Sequence, residues 1–219
     1  MIEKNLKIIQ EQINKTCKIY HRKTDDVKII AVSKMIASEK IIEAINFGCS
    51  VFGENYVQEA SDKWTDLKLK FPNISLHLIG NLQSNKVKQA LNIFDYIQTL
   101  DREKLAIALS KELIKCKAQT KFFIQVNIGE ESQKSGIEIS QVDDFVKYCI
   151  NDLKLKIEGL MAIPPASDYA SPYFALLKKI ANRNHLKKLS MGMSSDYQQA
   201  IALGSTHIRI GTAIFGDRK

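Results

Sequence analysis

The chain has 219 residues, 45% of them hydrophobic, and a formal net charge of +8, which suits one buried core rather than two full-sized domains. No apolar run approaches the length of a membrane span, and the amino terminus lacks the apolar stretch of a signal peptide, so we expect a cytoplasmic protein. The positive charge is spread along the chain without a basic run interleaved with aromatic residues, which favours solvated lysine-rich helix faces over a nucleic-acid surface.

Hydrophobic periodicity predicts an amino-terminal amphipathic helix, followed by strands and helices in alternation. Apolar residues at 2, 6, 9, 13 and 17 recur at helical spacing, which predicts the first helix over 1–20. In chain order, the pattern then predicts strand 27–33, helix 38–47, strand 50–53, helix 55–67, strand 75–80, helix 86–91, strand 94–100, helix 102–116, strand 121–127, helix 140–150, strand 155–161, helix 173–185, strand 188–191, helix 197–203 and strand 206–210. We expect Ser38, Asp101 and Ser140 to cap helices, and Gly48 to end one.

Strict alternation of strands and helices is typical of a parallel sheet. Eight such repeats in this length favour an α/β fold, a closed (β/α)8 TIM-type barrel formed by residues 1–219 as a single domain with an extra amino-terminal helix. An open doubly wound sheet is the alternative architecture. No change of composition marks a linker or a second, β domain. In such a barrel, functional residues gather at the carboxyl ends of the strands.

Two segments of small residues follow the last two predicted strands. The first contains Gly192, Ser194 and Ser195, and the second begins with Gly211 and Thr212. Glycine lets backbone N–H groups approach phosphate oxygens closely, and the loops after strands 7 and 8 of these barrels commonly form a phosphate site. The two turns are therefore expected to surround one phosphate.

Lys34 lies at the end of the first predicted strand, among uncharged and mostly apolar neighbours. Partial desolvation lowers the pKa of a lysine and frees its amine as a nucleophile, for which a Schiff base with an aldehyde is the natural chemistry. The alternative is a lysine whose side chain extends from the strand end into solvent.

Arg209 lies between two isoleucines in the last predicted strand. Its side chain either pairs with a carboxylate inside the barrel or donates a hydrogen bond to a ring nitrogen of a bound cofactor. His77 is interpreted as a structural histidine, Met193 as packing at the rim, and Asn55 as either a helix cap or a site residue.

A lysine for an aldehyde, an arginine for a ring nitrogen and small-residue turns for a phosphate together describe one ligand, pyridoxal 5′-phosphate (PLP). The combination is more specific than any of its parts.

The four cysteines are scattered without a Cys-x-x-Cys pair, so we expect neither a disulfide framework nor a metal site.

Seven stretches, in order along nearly the whole chain, resemble the YggS/PROSC family of pyridoxal phosphate homeostasis proteins. They are Ala-Val-Ser-Lys (31–34), Val-Phe-Gly-Glu-Asn-Tyr-Val-Gln-Glu (51–59), His-Leu-Ile-Gly-Asn-Leu-Gln-Ser-Asn-Lys (77–86), Gln-Val-Asn-Ile-Gly-Glu-Glu-Ser-Gln-Lys-Ser-Gly (125–136), Gly-Leu-Met (159–161), Leu-Ser-Met-Gly-Met-Ser-Ser-Asp (189–196) and Ile-Arg-Ile-Gly-Thr-Ala-Ile-Phe-Gly (208–216).

The resemblance implies the barrel of the bacterial alanine racemase N-terminal domain, without that enzyme's second, β domain. It implies that Lys34 forms the Schiff base with PLP and that Arg209 faces the pyridine nitrogen. It also implies that Ser194, Gly211 and Thr212 hold the phosphate. Met193 and Asn55 are implied to line the pocket. The chain departs from the family at 35–37, where Met-Ile-Ala replaces a stretch that often carries a further lysine or proline, so a second lysine proposed to assist cofactor transfer is absent.

A catalytic role is judged against two chemical requirements. An arginine at the ring nitrogen makes a poorer electron sink, and a racemase needs a second base on the other face of its substrate. In alanine racemase that base comes from the β domain of a neighbouring subunit, which has no counterpart in this sequence; Tyr56 is a substitute that nothing in the sequence supports.

We therefore expect a protein that stores, buffers or delivers PLP with little or no turnover, with PLP-dependent apo-enzymes as recipients and a monomeric state. The alternative is a PLP-dependent amino-acid racemase or lyase. A third hypothesis is a nonspecific phosphate-binding barrel whose Lys34 is structural.

Overall fold

A computed structural model describes residues 1–166 and 169–216. The strands are β1 (Lys28–Val32), β2 (Val51–Glu54), β3 (Ser75–Leu78), β4 (Tyr96–Leu100), β5 (Lys121–Gln125), β6 (Ile157–Met161), β7 (Lys188–Met193) and β8 (His207–Ile210). The helices are α1 (Ile2–Ile19), α2 (Ser38–Asn46), α3 (Val57–Lys70), α4 (Val87–Ile93), α5 (Glu103–Cys116), α6 (Val142–Lys147), α7 (Ala170–Arg183), α8 (Tyr197–Ala202) and α9 (Thr212–Phe215).

The eight strands form one closed parallel barrel in the order of the sequence. β8 closes the barrel against β1, with Arg209 in register with Ile30. The predicted (β/α)8 barrel is therefore confirmed, and the open doubly wound sheet is wrong. Closure leaves no sheet edge and brings the carboxyl ends of all strands to one rim.

The amino-terminal helix α1 is an addition to the barrel, as predicted. Its buried face consists of Ile2, Leu6, Ile9, Ile13 and Cys17 with Thr16, and it packs on α8 and α9. Arg22, just after α1, donates from Nη1 to the carbonyl oxygens of Ile201 at 2.6 Å and Ser205 at 2.7 Å. α1 thus packs on the side of the barrel formed by α8 and α9, next to the last two strands.

The predicted helix caps are wrong at three positions. Ser38 is the first helical residue of α2 and Ala37 precedes it as the cap, without a side-chain hydrogen bond. The carboxylate of Asp101 instead accepts from the Arg102 guanidinium at 2.5 Å. Ser140 lies in a 3-10 turn, Ile139–Gln141, that precedes α6.

The prediction that Gly48 ends a helix is confirmed. Gly48 ends α2 with a φ of 94°, as expected for a residue that must adopt the left-handed region. None of the helices in the described part of the chain combines the length and apolar character needed to cross a membrane. All four cysteines are free thiols.

Candidate cofactor site at the carboxyl ends of the strands

A cavity of about 390 Å³ opens at the carboxyl-terminal rim of the barrel. It is lined by Val32, Lys34, Asn55, Ile79, Ile163, Met193, Ser194, Ser195, Arg209, Gly211 and Thr212. These residues come from β1, β7, β8 and the segments after β1, β2, β3, β6, β7 and β8. All seven residues expected in the site thus lie around one cavity.

Lys34 occupies the second position of a hydrogen-bonded turn at the end of β1. The carbonyl oxygen of Ser33 accepts the N–H of Ile36 at 3.1 Å. The third residue, Met35, has a φ of 58°, in a region that normally favours glycine at this position of a turn. Val32, the last residue of β1, lines the same cavity.

Arg209 is buried in the floor of the cavity, with only 5% of its surface exposed. Its Nη1 donates to Ser190 Oγ at 2.8 Å and its Nη2 donates to the Ala162 carbonyl oxygen at 2.9 Å. Within the described residues, the hydrogen-bond partners of Arg209 are thus a hydroxyl and a carbonyl. The sequence had also allowed pairing with a carboxylate inside the barrel. Burial lowers the pKa of Arg209 to about 10, so the guanidinium stays positively charged at neutral pH.

A chain of buried hydrogen bonds holds Arg209 from below. Ser190 Oγ, which accepts from Arg209, donates to Gln98 Oε1 at 2.6 Å. The amide of Gln98 then meets His77 Nδ1 at 2.8 Å, and His77 Nε2 lies 3.1 Å from Ser75 Oγ. Because Gln98 Nε2 is a donor, His77 Nδ1 is the acceptor and the ring is neutral. His77 is therefore a satisfied structural histidine, as interpreted from the sequence.

The small-residue turn after β7 is shaped by its own hydrogen bonds. The N–H of Met193 donates to Asp196 Oδ1 at 2.6 Å. Gly192 has a φ of 93°, and a Cβ atom there would lie 2.5 Å from the Cβ of Ala200. Both features exclude a side chain at Gly192, so the sequence must place glycine where the turn passes α8.

The turns after β7 and β8 meet at the cavity. Thr212 Oγ1 lies 3.4 Å from Ser194 Oγ, so the two hydroxyls share one part of the wall. Gly211 precedes α9, whose first helical residue is Thr212. This arrangement offers two hydroxyls and the backbone of two small-residue turns to an anion.

Asn55 and Met193 both line the cavity. Tyr56, not Asn55, is the cap residue of α3, so Asn55 does not serve as the helix cap. The backbone of Asn55 packs against Gly80, where a Cβ atom would lie 2.2 Å from the Asn55 carbonyl oxygen. Met193 is 37% exposed at the rim.

Four lining residues were not predicted, namely Val32, Ile79, Ile163 and Ser195. Val32 was detectable, because it lies near the end of the predicted strand 27–33, two residues before Lys34. Ser195 belongs to the small-residue segment already noted. Ile163 follows β6 at the start of an irregular segment, and no local pattern in the sequence points to it.

The chain was compared with known proteins on the basis of sequence and structure. The family model described as "Alanine racemase, N-terminal domain" matches residues 3–219. A relative in Haemophilus influenzae, named pyridoxal phosphate homeostasis protein, is 40% identical over 227 residues, which cover 99% of this chain and 96% of the relative. A relative of the same name in Escherichia coli strain K12 is 38% identical over 228 residues, with 99% and 97% coverage.

Solved structures of PipY from Synechococcus elongatus also match over their whole length. The structure without PLP is 32% identical with a TM-score of 0.87, and the structure with PLP bound is 31% identical with a TM-score of 0.85. Each match covers 99% of this chain and 100% of PipY. The family resemblance read from the sequence is therefore confirmed. The chain belongs to the alanine racemase N-terminal domain family, among its pyridoxal phosphate homeostasis proteins.

Proposed function

We propose that this protein binds pyridoxal 5′-phosphate through Lys34 and serves intracellular PLP homeostasis by storing, buffering or delivering the cofactor. The observation that carries the proposal is the convergence of an amine, a buried guanidinium and two hydroxyl-bearing turns on one cavity. PipY, which is similar over its whole length, has been solved with PLP bound, and this supports the assignment. The proposed PLP-binding domain comprises residues 1–219 as one unit.

The donor set of the cavity fits PLP. The cofactor has an aldehyde, a pyridine nitrogen and a phosphate, which call for an amine, a hydrogen-bond donor and a set of hydroxyl and N–H donors. Lys34 supplies the amine, and Arg209 supplies the charged donor. A guanidinium has five N–H groups, and the two hydrogen bonds described above use two of them. Ser194, Thr212 and Gly211 supply the phosphate contacts.

When bound, PLP supplies an aldehyde that condenses with a primary amine with loss of water. Lys34 has the position for this reaction, at the end of β1 and half-buried in the cavity wall. Arg209 presents a fixed positive charge that disfavours a proton on a neighbouring ring nitrogen. Asn55 and Met193, which also line the cavity, would form part of the wall around the bound cofactor.

Storage rather than turnover is the proposed role, and the residues that face the cavity support it. Lys34 and Arg209 are the only ionisable residues among those that the structure describes as lining the cavity. Tyr56, the candidate for a second base, is 64% exposed and is not one of the lining residues. Removal and return of a substrate proton on opposite faces needs a second acid or base within hydrogen-bond reach.

The proposal is tested by mixing purified protein with PLP and reducing the mixture with borohydride. We expect a visible absorption band in the wild-type protein and, after reduction, a pyridoxyl group found on Lys34 by mass spectrometry. Lys34→Ala should lose both signals. Absence of the wild-type signals, or their persistence in the variant, would return the protein to a phosphate-binding barrel with a structural lysine.

Turnover is measured on the same PLP-loaded protein with small amino acids as substrates. We expect racemisation and lyase rates indistinguishable from those of free PLP. Steady turnover that disappears in Lys34→Ala would overturn the carrier role and establish the racemase or lyase alternative, while leaving PLP binding intact.

The proposed cellular setting comprises the recipients of PLP, the compartment and the assembly state. PLP-dependent apo-enzymes are the proposed recipients, which activation of an apo-enzyme by the loaded protein would test. A reducing cytoplasm is supported by four free thiols. A monomer is proposed for the assembly state, and sedimentation of the loaded protein would test it.

A further inference from the structure

A buried ion cluster lies directly behind the turn that carries Lys34. It consists of Glu54 at the end of β2 together with Glu59 and Lys63 of α3, and it is called the β2–α3 ion cluster below. Glu54 has no exposed surface, and the side chains of Lys63 and Glu59 are 15% and 27% exposed. These residues belong to neither the cavity wall nor the phosphate turns.

Lys63 is the centre of the cluster. Its Nζ lies 2.8 Å from three oxygen atoms, Glu54 Oε1, Glu59 Oε1 and the carbonyl oxygen of Ser33. The contacts with Ser33 and Glu59 are hydrogen bonds, and the contact with Glu54 is an ion pair. One of the three contacts thus fixes the peptide group that joins Ser33 to Lys34.

Glu54 ties the same segment to α3 from another side. Its Oε1 accepts from the Ser33 hydroxyl at 2.8 Å and from Trp64 Nε1 at 2.9 Å. Its Oε2 is buried without a hydrogen-bond partner among the described residues. A buried carboxylate satisfied on one oxygen depends on a nearby cation, which makes Lys63 hard to replace.

Glu59 fixes the other side of Lys34. Its Oε1 accepts the N–H of Met35 at 2.6 Å, and Met35 is the residue with the left-handed φ of 58°. Burial raises the pKa of Glu59, but hydrogen bonds from Lys63 and Met35 and the charges of Lys63 and Lys34 hold it below its ordinary value. Glu59 is thus a carboxylate that holds the strained residue and attracts the charge of Lys34.

We infer that Glu54, Glu59 and Lys63 are positioning residues that aim Lys34 into the cavity by tethering the residues before and after it to α3. The inference rests on the proposed function, because it concerns the lysine that takes up PLP. A turn whose third residue adopts a conformation unfavourable for a side chain reverts unless its surroundings hold it. Without the cluster, Lys34 would leave the orientation that its condensation with an aldehyde requires.

Two variants remove the tethers separately, and a third is a matched control. Lys63→Met removes the contact to Ser33, and Glu59→Ala removes the acceptor of the Met35 N–H. The control is Lys68→Met, because Lys68 also lies on α3 and also joins a carboxylate and a carbonyl, those of Asp95 at 2.8 Å and Ile93 at 3.0 Å, next to a different strand.

The measurements are the apparent Kd for the PLP absorption band and the borohydride-fixed pyridoxyl label on Lys34. We expect Kd to rise at least about tenfold in Lys63→Met and Glu59→Ala, and to stay within about twofold in Lys68→Met. Urea unfolding of each variant reports folding separately. If Lys63→Met fails to fold because Glu54 loses its cation, Glu59→Ala still decides the question, since Glu59 is partly exposed.

A rescue experiment separates positioning from general stabilisation. Met35→Gly lets the turn adopt its left-handed φ without help, so Glu59→Ala should cost much less in this background. If Lys63→Met and Glu59→Ala fold and bind PLP as tightly as the wild type, the positioning inference is wrong, whereas the proposed PLP binding still stands. A wild-type protein that forms no adduct on Lys34 would overturn the proposed function, and the inference with it.

Discussion

At the scale of single residues, the candidate site depends on the buried charge of Arg209, whose described hydrogen-bond partners are neutral. The guanidinium of Arg209 is held by Ser190 and by the carbonyl of Ala162, both neutral partners. A buried charge with only neutral partners keeps a strong field at its open side. That field favours an anionic or electron-rich ligand, and both the phosphate and the ring nitrogen of PLP meet that description.

The two hydroxyls at the phosphate turns are predicted to discriminate PLP from pyridoxal. Ser194→Ala and Thr212→Val each remove one donor to a charged group, which is worth about 1.5–3 kcal/mol, or roughly tenfold or more in Kd. We expect the Kd for PLP to rise by that factor. The Kd for pyridoxal, which lacks the phosphate and therefore binds more weakly, should stay the same. Absorption titrations with both ligands measure the two constants.

The control for the hydroxyl variants is Ser171→Ala. Ser171 lies on α7 and its hydroxyl contacts Gln199 at 3.0 Å, outside the residues that line the cavity. This variant should leave both constants unchanged. An equal loss of PLP and pyridoxal affinity in Ser194→Ala would mean that Ser194 shapes the pocket and does not bind phosphate.

At the scale of elements, the site depends on how closely the segments after β2 and β3 approach each other. Gly80, just past β3, lies against the backbone of Asn55, just past β2. A side chain at Gly80 would collide with backbone atoms, which are less able to move than the end of a flexible side chain. The position of Asn55 in the cavity wall is therefore set by a contact between two segments.

Gly80→Ala is predicted to disturb both stability and binding. The added Cβ would lie 2.2 Å from the Asn55 carbonyl oxygen and 2.7 Å from its Cα, so Asn55 must shift. We expect a loss of about 1–3 kcal/mol in the free energy of unfolding, typical of overpacking, together with weaker PLP binding. Urea unfolding and an absorption titration measure the two effects.

Gly48→Ala provides the comparison for Gly80→Ala. Gly48 has a φ of 94° but open space around it, so alanine there costs about 1 kcal/mol of backbone strain and touches nothing in the site. Its PLP affinity should equal that of the wild type. A Gly80→Ala protein with unchanged PLP affinity would show that Asn55 contributes little to the pocket.

The limits of sequence reasoning also lie between elements. Strand order and the site residues of β1, β7 and β8 were predictable, because alternation sets the faces of a strand and small residues mark the turns. The role of Lys63 was not, because its partners Ser33 and Glu54 lie 30 and 9 positions away in sequence and meet it only when α3 packs on the barrel. The predicted cap at Asp101 failed for a local reason, since its carboxylate accepts from the guanidinium of the adjacent Arg102.

At the scale of the whole molecule, two histidines lie among buried residues that are mostly apolar. His77 and His207 are both buried, their rings lie 6.0 Å apart, and His207 also packs edge-on against Phe123. Burial, followed by repulsion from His207 and nearby lysines, lowers the pKa of His77 well below 6.5. Burial and the charges of Lys188 and Lys28 lower the pKa of His207 to about 3.

Two buried neutral histidines predict an acid-sensitive fold. Between the unfolded pKa of about 6.5 and the lower folded pKa values, the unfolded chain binds more protons than the folded one, so acid favours unfolding. Stability is therefore fully present above pH 6.5 and falls as the pH drops, by about 1.4 kcal/mol per pH unit for each histidine. From pH 7 to pH 5 we expect a loss of about 2 kcal/mol per histidine, measured by urea unfolding.

A histidine variant tests the origin of this pH dependence. His207→Gln removes one titrating group, so its unfolding free energy should change with pH about half as steeply as that of the wild type between pH 5 and 6.5. His21→Gln, at an exposed position, should keep the full slope. Carboxylates whose pKa values are lowered on folding, such as Glu158, lose their contribution at lower pH, because their unfolded pKa is near 4.5. An undiminished slope in His207→Gln would therefore assign the acid sensitivity to groups other than His207.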